Sequence, residues 1–145
     1  MTRISCFSFL LLLTSSCSIN ENAFSNTEYS YCDIEHLKIG CSEIFDINQE
    51  LYYVFIYSSG CYYCKQIEGS IVEVALKSDD LFYFVEYTDS ISIVNDVEFT
   101  IGANSFNDFA ILGTPTLIKI ERKILKLNIA GSSEIAKIIE PHLFS

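Results

Sequence analysis

Apolar positions along this chain fall into blocks, and each block has its own period. Leu51 to Tyr57 (Leu-Tyr-Tyr-Val-Phe-Ile-Tyr) is an unbroken run of apolar or aromatic residues rich in β-formers. Such continuity predicts a central strand buried on both faces. After a Ser58-Ser59-Gly60 turn, Lys65 to Ser78 carries Ile67, Ile71, Val74 and Ala75 at helical spacing. Asp79-Asp80 breaks that helix, and Leu81 to Tyr87 predicts a second buried strand. Further on, Thr116 to Ile120 and Ile124 to Ala130 read as two strands, and the connection Glu121-Arg122-Lys123 has hairpin length. Leu125, Leu127 and Ile129 alternate with Lys126 and Asn128, the pattern of a half-solvated strand. Gly131 and Ser132-Ser133 open a last helix with Ile135, Ile138 and Ile139 on one face and Glu134 in its first turn.

The remaining segments carry weaker patterns. His36 to Gly40 is expected as a short strand, and Ser42 to Asn48 as a short helix turning Ile44, Phe45 and Ile47 inward. Val97 to Ile101 is expected to be extended and Ser105 to Phe109 to be a short helix, before Gly113-Thr114-Pro115 breaks the chain. The resulting order is β-α-β-α-β-α-β-β-α, an α/β pattern.

The N-terminus follows different rules. Met1-Thr2-Arg3 is a short positive region, Ile4 to Leu13 an apolar run of ten residues, and Thr14-Ser15-Ser16-Cys17 a group of small residues ending on cysteine. The run is too short for a membrane-spanning helix, which needs roughly 20 residues, and suits a signal-peptide core. Small residues before Cys17 resemble the lipobox of bacterial lipoproteins, with Leu13 one place further back than that pattern prefers. The expected organisation is a lipoprotein-type signal peptide over 1–16, a tether over 17–31 with Cys17 acylated, and a folded domain over 32–145. The alternatives are an ordinary secreted protein, an uncleaved anchor or a buried N-terminal segment. Ser18 to Tyr31 is polar and aperiodic, and such a flexible stretch spans roughly 20 Å.

Composition narrows the function. With 50% hydrophobic and 14% aromatic residues the chain can build a core. A net charge of −10 with only nine Lys and Arg leaves no basic stripe, so nucleic acid is not an expected partner. Removing Cys6 with the signal and committing Cys17 to lipid leaves Cys32, Cys41, Cys61 and Cys64. Four cysteines in an exported domain are consistent with two disulfides, Cys61–Cys64 and, as a structural staple, Cys32–Cys41. A zinc site using Cys32, His36 and Cys41 has irregular spacing, and no metal is expected.

Cys61-Tyr62-Tyr63-Cys64 is the chemically informative motif. On a strand-to-helix turn the first sulfur sits at a helix N-terminus, where free N–H groups and the macrodipole favour a thiolate. The second, on the side of Ile67 and Ile71, turns inward. One exposed nucleophile with one sheltered resolving thiol is the layout for dithiol–disulfide exchange. The alternatives are a structural disulfide or half a zinc site. Lys65 could add positive potential near the sulfurs or be an ordinary solvated lysine. His36 and His142 stand in no catalytic spacing with a cysteine.

Tyr53-Val-Phe-Ile-Tyr-Ser-Ser-Gly-Cys-Tyr-Tyr-Cys-Lys65, with Gly113-Thr-Pro-Thr-Leu-Ile118 about 50 residues on and Gly131 before the final helix, resembles the thioredoxin superfamily. The resemblance covers about residues 34 to 145. It implies a thioredoxin-like α/β fold with a central mixed β-sheet flanked by helices, Cys61 as attacking thiol and Cys64 as resolving thiol. It also implies a cis Pro115 packed against the disulfide, and Thr114 offering its backbone to substrate. Tyr62 and Tyr63 are expected to rim the site. The chain departs from thioredoxins in having no Trp before the first cysteine, no Gly-Pro between the two, and Phe55 where the family has a buried acid. It is closer to small exported thioredoxin-like proteins of bacteria.

The implied function is an extracytoplasmic thiol–disulfide oxidoreductase acting on cysteine-containing exported proteins, without a cofactor. It would be a monomer held to the cell membrane by lipid, with a membrane redox partner. The alternative is a non-catalytic thioredoxin-like binding module.

Overall fold

In the computed structural model of the protein, residues 29–143 are described. The expected signal peptide, the acylation site Cys17 and the tether as far as Glu28 lie outside the described residues. No helix among the described residues is long and apolar enough to cross a membrane.

Among the described residues, two α-helices and six strands follow in the order β1 (Leu51–Tyr57), α1 (Tyr62–Lys77), β2 (Phe82–Glu86), β3 (Ser92–Ile93), β4 (Ala110–Ile111), β5 (Thr116–Glu121), β6 (Ile124–Ala130) and α2 (Ser132–Leu143). The main sheet has the strand order β2-β1-β5-β6. β1 runs parallel to β2, with Phe55 opposite Phe84, and antiparallel to β5, with Phe55 opposite Leu117. The sheet is therefore mixed, and β1 is central to it, as continuous hydrophobicity requires.

Alternation along β1 divides the core. Tyr53, Phe55 and Tyr57 face a cluster with Ile67, Ile71 and Val74 of α1 and Ile135 and Ile139 of α2. Tyr52, Val54 and Ile56 face a second cluster containing Ile44, Phe45, Ile91, Phe109 and Ile111. Helices thus cover one face, while loops and 3₁₀ turns cover the other.

That second face is where the weaker expectations change. Ser42 to Asn48 forms no α-helix, only a 3₁₀ turn at Cys41–Glu43, although Ile44 and Phe45 are buried as expected. His36 to Gly40 contributes a single bridge, Lys38 to Phe84, after a 3₁₀ turn at Glu35–Leu37. Val97 to Ile101 is not extended but holds a 3₁₀ turn at Glu98–Thr100, and the helix expected at Ser105 to Phe109 is a 3₁₀ turn at Phe106–Asp108. These segments are short and lack a sustained apolar period, so tertiary contacts decide their form. The hairpin is also tighter than expected. Glu121 stays in β5, leaving Arg122 and Lys123 as a two-residue loop with φ of 50° and 64°.

Packing also begins before Cys32. Tyr31 is buried in the helix-side cluster, its ring 4.2 Å from that of Tyr57. Its backbone N–H donates to Glu68 Oε1 at 2.9 Å. The domain therefore includes residues that the polar context had placed in the tether.

Candidate functional site

Four residues separate the end of β1 from the start of α1, and the last of those four does the capping. Cys61 has extended backbone (φ −83°, ψ 117°) and is the N-cap of α1. Its Sγ accepts the Cys64 N–H at 3.2 Å, the bond a capping Ser or Asp would make. A Ser58 carbonyl accepting the Cys61 N–H at 3.1 Å fixes the turn that presents it. α1 starts at Tyr62, three residues before the Lys65 start that the apolar period predicts, because Tyr62 and Tyr63 point to solvent, 70% and 58% exposed.

The opposite wall comes from the loop before β5. The Thr114–Pro115 peptide bond is cis, and Pro115 is buried. The Cys61 thiol donates to the Thr114 carbonyl at 3.3 Å. The loop is braced from behind: the Pro115 carbonyl accepts the Gly131 N–H at 2.9 Å, and the Thr116 hydroxyl donates to the Gly113 carbonyl at 2.6 Å. Gly113 and Gly131 have φ of +152° and +98°, values that L side chains rarely adopt. Cys61, Cys64 and Thr114 are thus brought together, with Tyr62 and Tyr63 outside them.

The two sulfurs are driven in opposite directions. Burial pushes the Cys61 thiol up. Hydrogen bonds from the Cys64 thiol, the Thr114 side chain and the Cys64 and Tyr63 backbone outweigh it, leaving Cys61 below the usual thiol range. Cys64 is fully buried, and burial first, then its bond to Cys61, raises it to about 12. Cys61 is thus the thiol that ionises more readily and Cys64 the one that holds its proton. Both are free thiols in this structure.

The staple expected between Cys32 and Cys41 is not formed. Cys41 is a free thiol, 3.2 Å from the Thr88 hydroxyl and 3.8 Å from the Glu86 carbonyl. Cys32 is itself disulfide-bonded, but not to Cys41, and the two positions lie on different faces of the sheet. Tyr31 and Ile34, on either side of Cys32, pack on the helix face, whereas Cys41 packs on the other. Between them the chain passes the outer edge of β2 at Lys38. Among the described residues no three His, Cys, Asp or Glu side chains converge as metal ligands.

Sequence reading missed Tyr31. Its hydroxyl, buried, donates to the Cys64 carbonyl at 2.8 Å, and its ring stacks on Phe55 and Tyr57. Burial, then the neighbouring Cys64 and Glu68, pushes the phenol far above its ordinary value, so it acts as a donor only. Glu68 joins the group through Lys65, whose Nζ lies 2.9 Å from Oε2. An isolated aromatic in a polar stretch carries no period that could have flagged it. His142, without a catalytic spacing, pairs with Asp80 at 2.8 Å.

A parallel β1–α1–β2 unit joined to an antiparallel hairpin and final helix, with a cis proline loop facing a helix-capping C-x-x-C, settles the architecture. The fold is thioredoxin-like. No family model matches the sequence, and no curated protein matches it. Among solved structures it is similar to thioredoxin f2 of Chlamydomonas reinhardtii (16% identity, 73% of this chain and 94% of that one, TM-score 0.49). It is also similar to mitochondrial thioredoxin 3 of Saccharomyces cerevisiae in its oxidized form (15% identity, 72% and 92%, TM-score 0.48). A third is the thioredoxin NaTrxh of Nicotiana alata (19% identity, 82% and 98%, TM-score 0.46). Phe55, which the sequence resemblance places where thioredoxins have a buried acid, is fully buried beside Tyr31 and Phe84.

Proposed function

We propose that this chain is an extracytoplasmic thiol–disulfide oxidoreductase. The carrying observation is the opposed chemistry of Cys61 and Cys64, one turn of helix apart, with Cys61 facing the Thr114 carbonyl. With the dithiol reduced, the Cys61 thiolate attacks one sulfur of a substrate disulfide and releases the other as a thiolate. Cys64 then loses its proton and attacks Cys61 Sγ, forming the Cys61–Cys64 bond and freeing the second substrate sulfur. Two electrons pass to the substrate, and the reverse sequence oxidises a substrate dithiol. Thr114 offers backbone to the passing polypeptide, and Tyr62 and Tyr63 give it an apolar rim.

The substrates are exported, cysteine-containing proteins, and a membrane redox partner recycles the dithiol. The signal-like segment and Cys17 support a lipid anchor on the outer side of the cell membrane. Equilibration with a series of glutathione redox buffers tests the reading. A Cys61–Cys64 couple that follows the buffer and drives disulfide exchange in a model protein supports it; a bond that resists glutathione-range reductants points instead to a binding module. Phe55 favours that second reading, because it cannot take the Cys64 proton as a carboxylate would.

A further inference from the structure

Between β2 and β5 the second face of the sheet is covered by 3₁₀ turns and the short β3–β4 pair. They leave a groove of about 640 Å³ whose walls include Val94, Phe99, Ile101, Asp108, Phe109 and Ala110. Phe99 and Ile101 are 66% and 48% exposed, more than single apolar residues need to be. Neighbouring exposed apolar side chains mark interaction surfaces.

The groove is held open in advance. Asn128 of β6 donates from Nδ2 to the Thr100 hydroxyl at 3.1 Å and to the Ala110 carbonyl at 2.9 Å, pinning one wall to the other. At the far end the Gly102 N–H donates to the Leu125 carbonyl and the Leu125 N–H to the Ala103 carbonyl, at 2.9 and 2.8 Å. An occupant would not have to order these walls, which lowers the cost of docking.

Its charge has one sign. From Ser78 to Ile118 the sequence carries Asp79, Asp80, Glu86, Asp89, Asp96, Glu98 and Asp108, and no Lys or Arg. Asp108 lines the groove and Asp96 and Glu98 precede Phe99; none of the three forms an ion pair among the described residues. Three carboxylates without an ion pair, near exposed apolar side chains, complement a cation with an apolar side chain next to it.

Position links the groove to the thiols. β4 forms one wall and runs into the Thr114–Pro115 loop, with half-exposed Leu112 between them. Ala110 lies four residues before Thr114, so in extended chain the groove begins within about 13 Å of it.

We propose that this groove docks a positively charged segment with a protruding apolar side chain, carried by the exported substrate about four to six residues from the cysteine that Cys61 engages. The docking rests on the groove; naming the docked protein as substrate rests on the oxidoreductase reading. Two fluorescent, cysteine-free peptides test it, one alternating Lys with Leu and Phe and the other Glu with Leu and Phe. Binding to the full chain is read by anisotropy. The cationic peptide is expected to bind at least about fivefold tighter, an advantage that falls as salt rises from about 0.1 to 0.5 M. Phe99→Ser and Asp108→Lys, both at exposed positions, should each remove that advantage while thermal unfolding shows the variants folded. Equal binding of the two peptides, or a cationic preference kept by both variants, would overturn the docking. Turnover of a small disulfide by the wild type tests the oxidoreductase reading separately. Peptide binding without turnover would sink that reading and leave the groove, and turnover without charge preference would do the reverse.

Discussion

At the scale of single residues, one hydroxyl touches the titration of both thiols. The Thr114 side chain favours the ionised form of Cys61 and of Cys64, and it is not the leading cause in either case, burial being larger. Thr114→Val keeps the shape and the backbone carbonyl that Cys61 faces, and removes only the hydroxyl. Alkylation of Cys61 at neutral pH should then slow by a factor on the order of three to ten, with its pH midpoint moving up; an unchanged profile would contradict the hydroxyl's role. Cys64 gives a second, opposite signature. Unfolded, its thiol ionises near ~8.5; folded, it holds its proton to about 12. The folded state therefore binds the extra proton in between, and stability is lost as pH rises through that window. Denaturant unfolding of the reduced protein should show a steeper decline above pH ~8.5 than Cys64→Ala does, since the buried tyrosines titrate in both. Spacing alone marked these cysteines as a pair. It could not show that Thr114 reaches both, which depends on two chain segments 50 residues apart meeting.

At the scale of elements, legibility followed burial. β1 was readable to the residue because both its faces are covered, and β6 because its bounds are a turn and a glycine. α1 was read late, since its first turn is built of exposed tyrosines and capped by a sulfur rather than by Ser or Asp. The segment from Thr88 to Leu112 stayed obscure for a physical reason: 3₁₀ turns of three residues have no period to detect. The hairpin shows the same limit in miniature. Two-residue loops of this kind favour Asn-Gly, and Arg122-Lys123 hold positive φ without that help. Replacing Lys123 by Gly should raise stability by about 1 kcal/mol in urea unfolding, because a left-handed backbone costs an L residue roughly that much. No gain would mean that the loop does not hold both residues at positive φ. Tyr31 tests the N-terminal boundary. Tyr31→Phe loses only the bond to the Cys64 carbonyl, about 1 kcal/mol, whereas Tyr31→Ala also empties a stacked site and should cost about 3–5 kcal/mol. Equal effects would mean that the ring is not packed as described.

At the scale of the whole molecule, a mixed sheet carries the two halves of the site on neighbouring strands. β1 delivers Cys61 at its C-terminal end, and antiparallel β5 begins at the same end, so the Thr114 loop arrives opposite the helix start. The topology was expected from the resemblance and is what makes the dithiol accessible on one side and sealed on the other. The proposed anchor belongs to this scale. If Cys17 is acylated, the protein should partition with membranes, and Cys17→Ser should release or misprocess it; wild type recovered as a soluble chain starting at Ser18 or later would remove the anchor. A single acyl chain gives only marginal binding, so stable partitioning implies more than one. The division of labour between the two sulfurs is tested most directly by trapping. Cys64→Ala and Cys61→Ala are each exposed to exported cysteine-containing proteins, quenched with acid, and resolved without reductant. Cys64→Ala is expected to accumulate reductant-sensitive covalent adducts through Cys61, and Cys61→Ala to accumulate none. Adducts formed equally by both variants, or by neither, would contradict the assigned roles.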